Sequence, residues 1–219
     1  MTDAHCHVAR GETRHFLCAP RTGAAGAQDV VFDGCHPWDV ENVPNFDEFI
    51  QKLRTRLGSV PTLGVGEIGL DRLKSKTISE AMRGAFDAQL AVAAEFRRPV
   101  QLHGAKCWGE VVKSCRPFAG RIPAFVFHGF SRSDGLLPDI VALGGFVSVG
   151  PAILNDHAVN YRAMVKKVPV ERLLVESDAT EAAAAPRVDE VAAKLAEMRG
   201  IGLEELIARL ERNADEVAP

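Results

Sequence analysis

The sequence has no excess of positive charge, no long apolar run and no apolar leader. Its 26 lysines and arginines are outnumbered by 29 acidic residues, giving a formal net charge of −3, so no overall basic field indicates a nucleic-acid partner. No stretch approaches the roughly 18 uninterrupted apolar residues that a membrane helix needs, and the first residues do not resemble a secretory signal. These absences predict a cytoplasmic protein with no membrane partner.

Cysteines are few and scattered. The five residues Cys6, Cys18, Cys35, Cys107 and Cys115 form no CxxC pair, which argues against a disulfide framework and predicts reduced thiols. The chain also lacks internal repeats, long linkers and low-complexity tracts. Its length suits one domain, so we expect a single domain over residues 1–219.

Short apolar runs alternate with longer amphipathic segments, as is typical of a parallel α/β fold. The predicted strands are Asp3–His7, His15–Ala19, Asp29–Gly34, Thr62–Glu67, Val100–His103, Ala124–His128, Phe146–Val149 and Leu173–Glu176. The predicted helices are Phe46–Leu57, Ile78–Phe96, Trp108–Cys115, Asp134–Leu143, Ala158–Lys167, Val188–Arg199 and Leu203–Asn213. This alternation predicts a (β/α)8 TIM-type barrel.

The opening of the chain fits this barrel less well. Seven residues separate the first two predicted strands, whereas a parallel crossover usually needs a dozen or more. The next gap, Pro20–Gln28, is rich in Gly and Ala and too short for a solid helix. Two interpretations remain open: the barrel lacks an outer helix near the N-terminus, or the second strand is wrong.

Ionisable side chains fall where the predicted strands end. Asp3, His5 and His7 alternate, so on an extended strand they share one face, and two imidazoles placed in this way can bind one cation. Four further residues close or follow later runs: Glu67, His103, His128 and Asp178. Because the carboxyl ends of parallel barrel strands lie on one rim, these side chains should meet where barrel enzymes place their chemistry.

Each of these residues also has a structural interpretation. A single His after a buried strand is often a satisfied structural residue, and Glu67 or Asp178 alone could cap a helix. Their convergence favours metal binding, because charged groups are rarely buried unless paired or metal-bound. Four imidazoles and two carboxylates suit Zn, Mn, Fe, Ni or Co, and accept Mg where carboxylates dominate. Six ligands are too many for one open cation, so we expect two divalent cations bridged by a carboxylate.

Six motifs in order cover nearly the whole chain. They are Asp-Ala-His-Cys-His at 3–7, Gly-Cys-His-Pro at 34–37, Gly-Glu-Ile-Gly-Leu-Asp at 66–71, Gln-Leu-His at 101–103, Phe-His-Gly-Phe at 127–130 and Glu-Ser-Asp-Ala at 176–179. With these motifs the sequence resembles the TatD family of metal-dependent hydrolases, a branch of the amidohydrolase-like barrels. Compared with that family, the chain is shortened between His7 and His36.

The resemblance implies six metal ligands: His5, His7, Glu67, His103, His128 and Asp178. Asp178 would join the two histidines of the first strand on one cation. The two later histidines would hold the second cation, and Glu67 would bridge both. Family members are known mainly as nucleases acting on DNA. The implied reaction is attack of a metal-activated water on phosphorus, with Glu67 and Asp178 as catalytic residues and Asp178 placed to accept a proton.

Four other residues have weaker assignments. His36, in the Gly-x-His-Pro motif, is a candidate for contact with substrate phosphate, with a structural role as the alternative. Lys106 and Arg132 follow two of the expected ligands and are further candidates for substrate binding. Asp3 is expected in the second shell, since metal-bound imidazoles commonly need a carboxylate partner.

The favoured function is that of a two-metal phosphodiesterase or exonuclease-like deoxyribonuclease. Its expected partner is DNA, single-stranded or at strand ends, or another small phosphodiester. The net negative charge offers few favourable contacts to the phosphate backbone of a long duplex. An amide or ester hydrolase acting on a small molecule or an aminoacyl substrate is an alternative, since the same site can attack a carbonyl carbon. A metal-binding module without activity is a third. No obligate protein partner is evident.

Overall fold

The fold is an eight-stranded parallel barrel that is nearly closed. The computed structural model describes residues 1–9, 13–18, 25–74, 76–131, 134–181 and 187–218. The strands follow one another around the sheet in chain order, each parallel to the next. They are β1 (Asp3–Cys6), β2 (His15–Cys18), β3 (Val30–Asp33), β4 (Gly64–Asp71), β5 (Val100–Ala105), β6 (Phe125–Phe127), β7 (Gly145–Val149) and β8 (Leu173–Val175). The predicted barrel is therefore confirmed.

Backbone bonds between the ends of β1 and β8 close the barrel. The amide of Asp178 donates to the carbonyl of His5 at 3.0 Å, and the amide of His7 donates to the carbonyl of Ala179 at 2.8 Å. The segment after β8 therefore lies directly beside the two paired histidines. Closure in this manner removes the exposed edge that an open sheet would leave.

The helices pack around the barrel. They are α1 (Phe46–Ser59), α2 (Glu80–Glu95), α3 (Trp108–Cys115), α4 (Leu137–Ala142), α5 (Val159–Lys167), α6 (Val188–Arg199) and α7 (Leu203–Val217). Asn45 and Ser79 cap α1 and α2 with their side chains, satisfying amides that have no partner within the helix. The predicted end of α1 at Leu57 was wrong, since the helix continues through Gly58 to Ser59. None of the helices described is long and apolar enough to cross a membrane.

The second predicted strand is present as β2. It pairs with β1 at one side and β3 at the other, although only residues 7–14 connect it to β1. No helix lies between β1 and β3 in the part of the chain that is described there, which is 7–9, 13–14 and 25–29. Of the two interpretations left open by the sequence, the wrong strand is excluded.

Strand β4 extends beyond its predicted end. The expectation that Glu67 closes this strand was wrong, because β4 continues to Asp71. It pairs with β5 at Val65 and again from Ile68 to Asp71, with a register shift between them. Ile68 and Leu70 are fully buried, so the strand continues to bury apolar side chains after Glu67. Glu67 consequently lies within the strand, at the register shift, with paired residues on both sides of it.

Candidate metal centre

Glu67 lies at the centre of five imidazoles. Its side chain is 5% exposed, and its oxygen Oε2 lies 3.6 Å from Nε2 of both His5 and His7. The other oxygen, Oε1, lies 2.7 Å from Nδ1 of His103 and 2.9 Å from Nε2 of His128. The carboxylate therefore faces one pair of histidines with each oxygen. The fifth imidazole is that of His36, whose Nε2 lies 3.6 Å from Oε1.

The two glycines beside this glutamate let β4 approach β5 closely. A Cβ on Gly66 would lie 2.6 Å from the Cβ of Gln101. Gly69 has φ +154°, and a Cβ there would lie 2.0 Å from the backbone oxygen of His103. Only glycine fits at such distances. The Gly-x-Gly-Glu-Ile-Gly pattern thus places Glu67 and His103 next to each other on adjacent strands.

The paired histidines are each anchored through Nδ1. His5 Nδ1 lies 2.8 Å from Oε1 of Gln101, and His7 Nδ1 lies 2.7 Å from the carbonyl oxygen of Cys18. Both partners are oxygens that only accept, so both Nδ1 atoms carry the hydrogen. In the neutral rings, Nε2 then presents a lone pair toward Glu67. Neutral imidazoles oriented in this way are suited to bind a metal.

A carboxylate lies beside each of the other two imidazoles. His103 Nε2 lies 3.0 Å from Oδ2 of Asp71, which leaves Nδ1 facing Glu67. His128 Nδ1 lies 3.5 Å from Oε1 of Glu176, which leaves Nε2 facing Glu67. The pairing of a ligand imidazole with an outer carboxylate is common around bound metals.

His36 has the opposite orientation. Its Nδ1 accepts a hydrogen bond from the backbone amide of Trp38 at 3.1 Å, so in the neutral ring the hydrogen is on Nε2. That nitrogen lies 3.6 Å from Oε1 of Glu67. Although His36, Glu67 and His103 lie close enough to share a cation, this hydrogen-bond pattern makes His36 a donor rather than a ligand.

Asp178 lies at the edge of this cluster and Asp3 lies behind it. Asp178 Oδ1 is 3.7 Å from Nε2 of His5, and its side chain is 51% exposed. Asp3 accepts hydrogen bonds from the amide and hydroxyl of Ser177, at 2.9 and 2.6 Å, and from the amide of His5 at 3.4 Å. The contacts of Asp3 thus fix the backbone that carries Asp178. The outer partners of the imidazole rings are Gln101, Asp71 and Glu176 instead.

Burial and mutual charge set the protonation of the cluster. Burial, and after it the neighbouring His128, lowers the pKa of His5 to about 3, so the His5 ring is neutral. Burial opposes the charge on His128, but Glu67 and Glu176 outweigh it and raise the pKa of His128 well above its usual range. Burial likewise opposes ionisation of Glu67, but the charge of His128 and the hydrogen bonds from His103 and His128 outweigh it and hold the pKa of Glu67 well below its usual range.

The donor set fits divalent cations. Nε2 of His5 is buried and has no hydrogen-bond partner, which a structural histidine would rarely tolerate. Two ligands about 2.1 Å from a tetrahedral ion lie about 3.4 Å apart, close to the 3.6 Å from His5 and His7 to Glu67. Among the described residues, two further groups lie close enough to share an ion: His5 with His128 and Asp178, and Glu67 with His36 and His103. The described side chains around Glu67 therefore form groups suited to hold a divalent cation.

A cavity of about 580 Å³ opens over Glu67. The described residues that line it include no lysine or arginine; they are His7, Gly34, Cys35, His36, Trp38, Asp39, Val43, Phe49, Glu67, His103, His128, Asp178 and Thr180. Lys106, expected to bind substrate, is exposed and is not among them. Arg132 lies outside the described residues.

Sequence reasoning missed three outer partners of the imidazole rings: Gln101, Glu176 and Asp71. Gln101 precedes His103 by two residues, so strand alternation places both on one face, and that signal was available. Glu176 lies in the Glu-Ser-Asp motif but was taken only as part of a strand. Asp71 does order the following loop, accepting hydrogen bonds from the amides of Leu73 and Lys74, but it also holds His103.

Comparison with known proteins agrees with this geometry. A family model described as TatD related DNase matches residues 21–218. Proteins named 3′-5′ ssDNA/RNA exonuclease TatD, from Edwardsiella piscicida and Yersinia pseudotuberculosis, are each 31% identical over 147 residues, or 67% of this chain. These matches span 56% of each relative, little more than half of its length.

A solved structure shows the same fold. It is that of YjjV, a TatD homologue from Escherichia coli K12, which superposes with a TM-score of 0.83 and covers 99% of this chain and 97% of that one. The two are 23% identical in sequence. Together with the family match over most of the sequence, this agreement leads to one conclusion: the chain belongs to the TatD-related DNase family.

Proposed function

We propose that this chain is a phosphodiesterase that uses two divalent cations and removes nucleotides from the ends of single-stranded DNA. The observation that carries the proposal is the position of Glu67, whose two oxygens each face two imidazoles. The matched relatives are named as 3′-5′ exonucleases on single-stranded DNA and RNA. We treat residues 1–219 as one catalytic unit, and infer that the strand is shortened from its 3′ end.

In this proposal the six expected ligands divide between two cations. His5, His7 and Asp178 hold one of them, on the Oε2 side of Glu67. His103 and His128 hold the other, on the Oε1 side, where the present hydrogen bonds would give way to coordination. When bound, divalent cations lower the pKa of water and neutralise charge on phosphate. The carboxylate of Glu67 would be a ligand of both cations.

The protein's own residues supply a proton acceptor and a hydrogen-bond donor. Burial raises the pKa of Asp178 above its ordinary value, and its side chain remains half exposed at the cavity. Asp178 is therefore able to take the proton of the attacking water. His36 carries a hydrogen on Nε2 beside Glu67. We assign this N–H as a hydrogen-bond donor to a phosphate oxygen, which gains negative charge during the reaction.

The test is hydrolysis of a 5′-labelled single-stranded oligonucleotide by metal-stripped protein, with Mg, Mn, Zn, Co, Ni and Fe added back one at a time. We expect a ladder that shortens from the 3′ end, and binding of two cations per chain. Asp178→Asn should reduce the rate by at least about 100-fold. His157→Ala, which changes an exposed histidine outside the site, should leave the rate unchanged. Wild-type protein that binds two cations but cleaves nothing would refute the nuclease assignment.

Hydrolysis of an amide or ester is the second candidate. It is favoured by the absence of lysine and arginine from the described lining of the cavity, since most sites for nucleic-acid backbones are basic. Release of p-nitrophenol from p-nitrophenyl acetate, compared with release from bis(p-nitrophenyl) phosphate under the same cation, separates the two reactions. We expect the phosphodiester to react faster, and the reverse order would favour the second candidate.

A further inference from the structure

Trp38 is an exposed aromatic side chain at the wall of the cavity. It is 45% exposed and lines the cavity beside His36 and Glu67. The other tryptophan, Trp108, is buried. A single exposed apolar side chain is ordinary on a protein surface, but this one borders the cavity that contains Glu67. A ligand in the cavity would therefore lie beside this ring.

The ring is held in one orientation. Its Nε1–H donates to Oδ2 of Asp71 at 2.7 Å, and the other oxygen of Asp71 is fixed by the backbone amides of Leu73 and Lys74. The ring of His36 lies edge-on at 4.8 Å between centroids. A ring fixed in this way loses little freedom when a ligand stacks on it.

One side of the ring is already covered. The ammonium of Lys74 lies 4.9 Å from the ring centroid, in cation–π contact. Lys74 lines a separate pocket of about 110 Å³, which Trp38 also lines, and does not line the main cavity. Trp38 therefore borders both spaces, and the part of its side chain that lines the main cavity is available to a ligand.

The lining of the cavity explains why a ring is needed there. With no lysine or arginine among its described residues, the wall offers little charge to a phosphate backbone apart from the bound cations. Aromatic stacking supplies binding energy that does not depend on charge and accepts every base, because each has a π face. His36, in contact with the ring, is the donor assigned above to phosphate. A base and its phosphate could thus be held by neighbouring residues.

We propose that Trp38 is the stacking platform for a nucleobase of the nucleotide being removed. This inference rests on the proposed function, and it names the part of the substrate that the site recognises beyond the phosphodiester. The enzyme is then selective for strand ends that carry a base. Preference among the four bases is weak, since stacking does not read hydrogen-bonding edges.

The kinetic test compares two oligonucleotides and two variants. One substrate ends in thymidylates, and the other carries abasic tetrahydrofuran units in the last two positions. We expect Trp38→Leu to raise KM for the normal substrate by about 5- to 150-fold, with kcat within about twofold and no change for the abasic substrate. Trp38→Phe keeps a ring and should stay within about threefold of wild type. An equal loss on both substrates, or none on either, overturns the proposal.

A binding test does not depend on catalysis. Thymidine 5′-monophosphate should quench the fluorescence of Trp38 saturably, while deoxyribose 5-phosphate, which has no base, should not. Trp38→Phe provides the signal of buried Trp108 alone, which should not respond. Quenching without hydrolysis of any oligonucleotide would refute the nuclease assignment and keep Trp38 as a base-binding residue. Hydrolysis without quenching would refute the role of Trp38 alone.

Discussion

Gln101 offers the sharpest test of how the site is built. This residue is fully buried; its Oε1 accepts the hydrogen of His5 Nδ1 at 2.8 Å, and its Nε2 donates to the carbonyl of Ala4 at 2.6 Å. Gln101→Leu removes both bonds and leaves two buried groups without partners. Each such group costs about 1–3 kcal/mol, so we expect the free energy of unfolding to fall by about 2–6 kcal/mol.

The same change should weaken metal binding. Without the Gln101 oxygen, nothing fixes the hydrogen of His5 on Nδ1. The ring can then carry its hydrogen on Nε2 instead, and in that tautomer Nε2 has no lone pair to offer a metal beside Glu67. Loss of such an outer partner typically reduces metal affinity by about 10- to 100-fold. Competition with a chelator measures the dissociation constant, and chemical denaturation of metal-free protein measures stability.

The matched control is Gln89→Leu. Gln89 is also buried and bonds the backbone of Cys35 and Ala85, but touches no expected ligand. We expect a comparable loss of stability without the loss of affinity. If Gln101→Leu bound the cation as tightly as wild type, or if both variants weakened binding equally, the orienting role of Gln101 would be refuted.

Three further outcomes follow from the geometry. Glu67→Gln should abolish binding of one or both cations, measured by elemental analysis, and slow phosphodiester hydrolysis at least about 100-fold. His36→Ala should retain two cations per chain yet slow turnover by about 100-fold; a lost cation would show instead that His36 is a ligand. Burial raises the pKa of the Cys107 thiol to about 11 from 9.0, so at pH 8 its thiolate fraction is about 100-fold lower than in the unfolded chain. Labelling with a disulfide reagent should therefore be slow in native protein, rising about tenfold per pH unit, and fast after denaturation.

Much of the fold could be predicted because parallel barrel strands are apolar on both faces. Runs such as Val100–His103 and Phe146–Val149 contain the signal within a few residues. The end of β4 could not be read in this way. Its charged Glu67 resembles a strand end, and only pairing with β5 over Ile68 to Asp71 shows that the strand continues.

The ligand-type residues could also be predicted, but their orientation could not. Strand alternation and the rim rule placed the expected ligands together. Which nitrogen of each ring faces Glu67 depends on partners far away in the chain, such as Gln101 for His5, 96 residues apart. The distinction between His36 and the other imidazoles likewise rests on one backbone amide, that of Trp38. Such contacts exist only once the barrel is closed.

The residues described between β1 and β3, which are 7–9, 13–14 and 25–29, contain no helix. This raises the question of how His5 and His7 stay in place. Their anchors come from elsewhere. His7 is held through its ring by the carbonyl of Cys18 on β2 and through its amide by Ala179 after β8, while His5 is held by Gln101 on β5. All of these partners belong to the barrel sheet or to the segment that closes it. An outer helix would cover the outside of the sheet, where none of these bonds lies, so a missing helix need not disturb the seating of either imidazole.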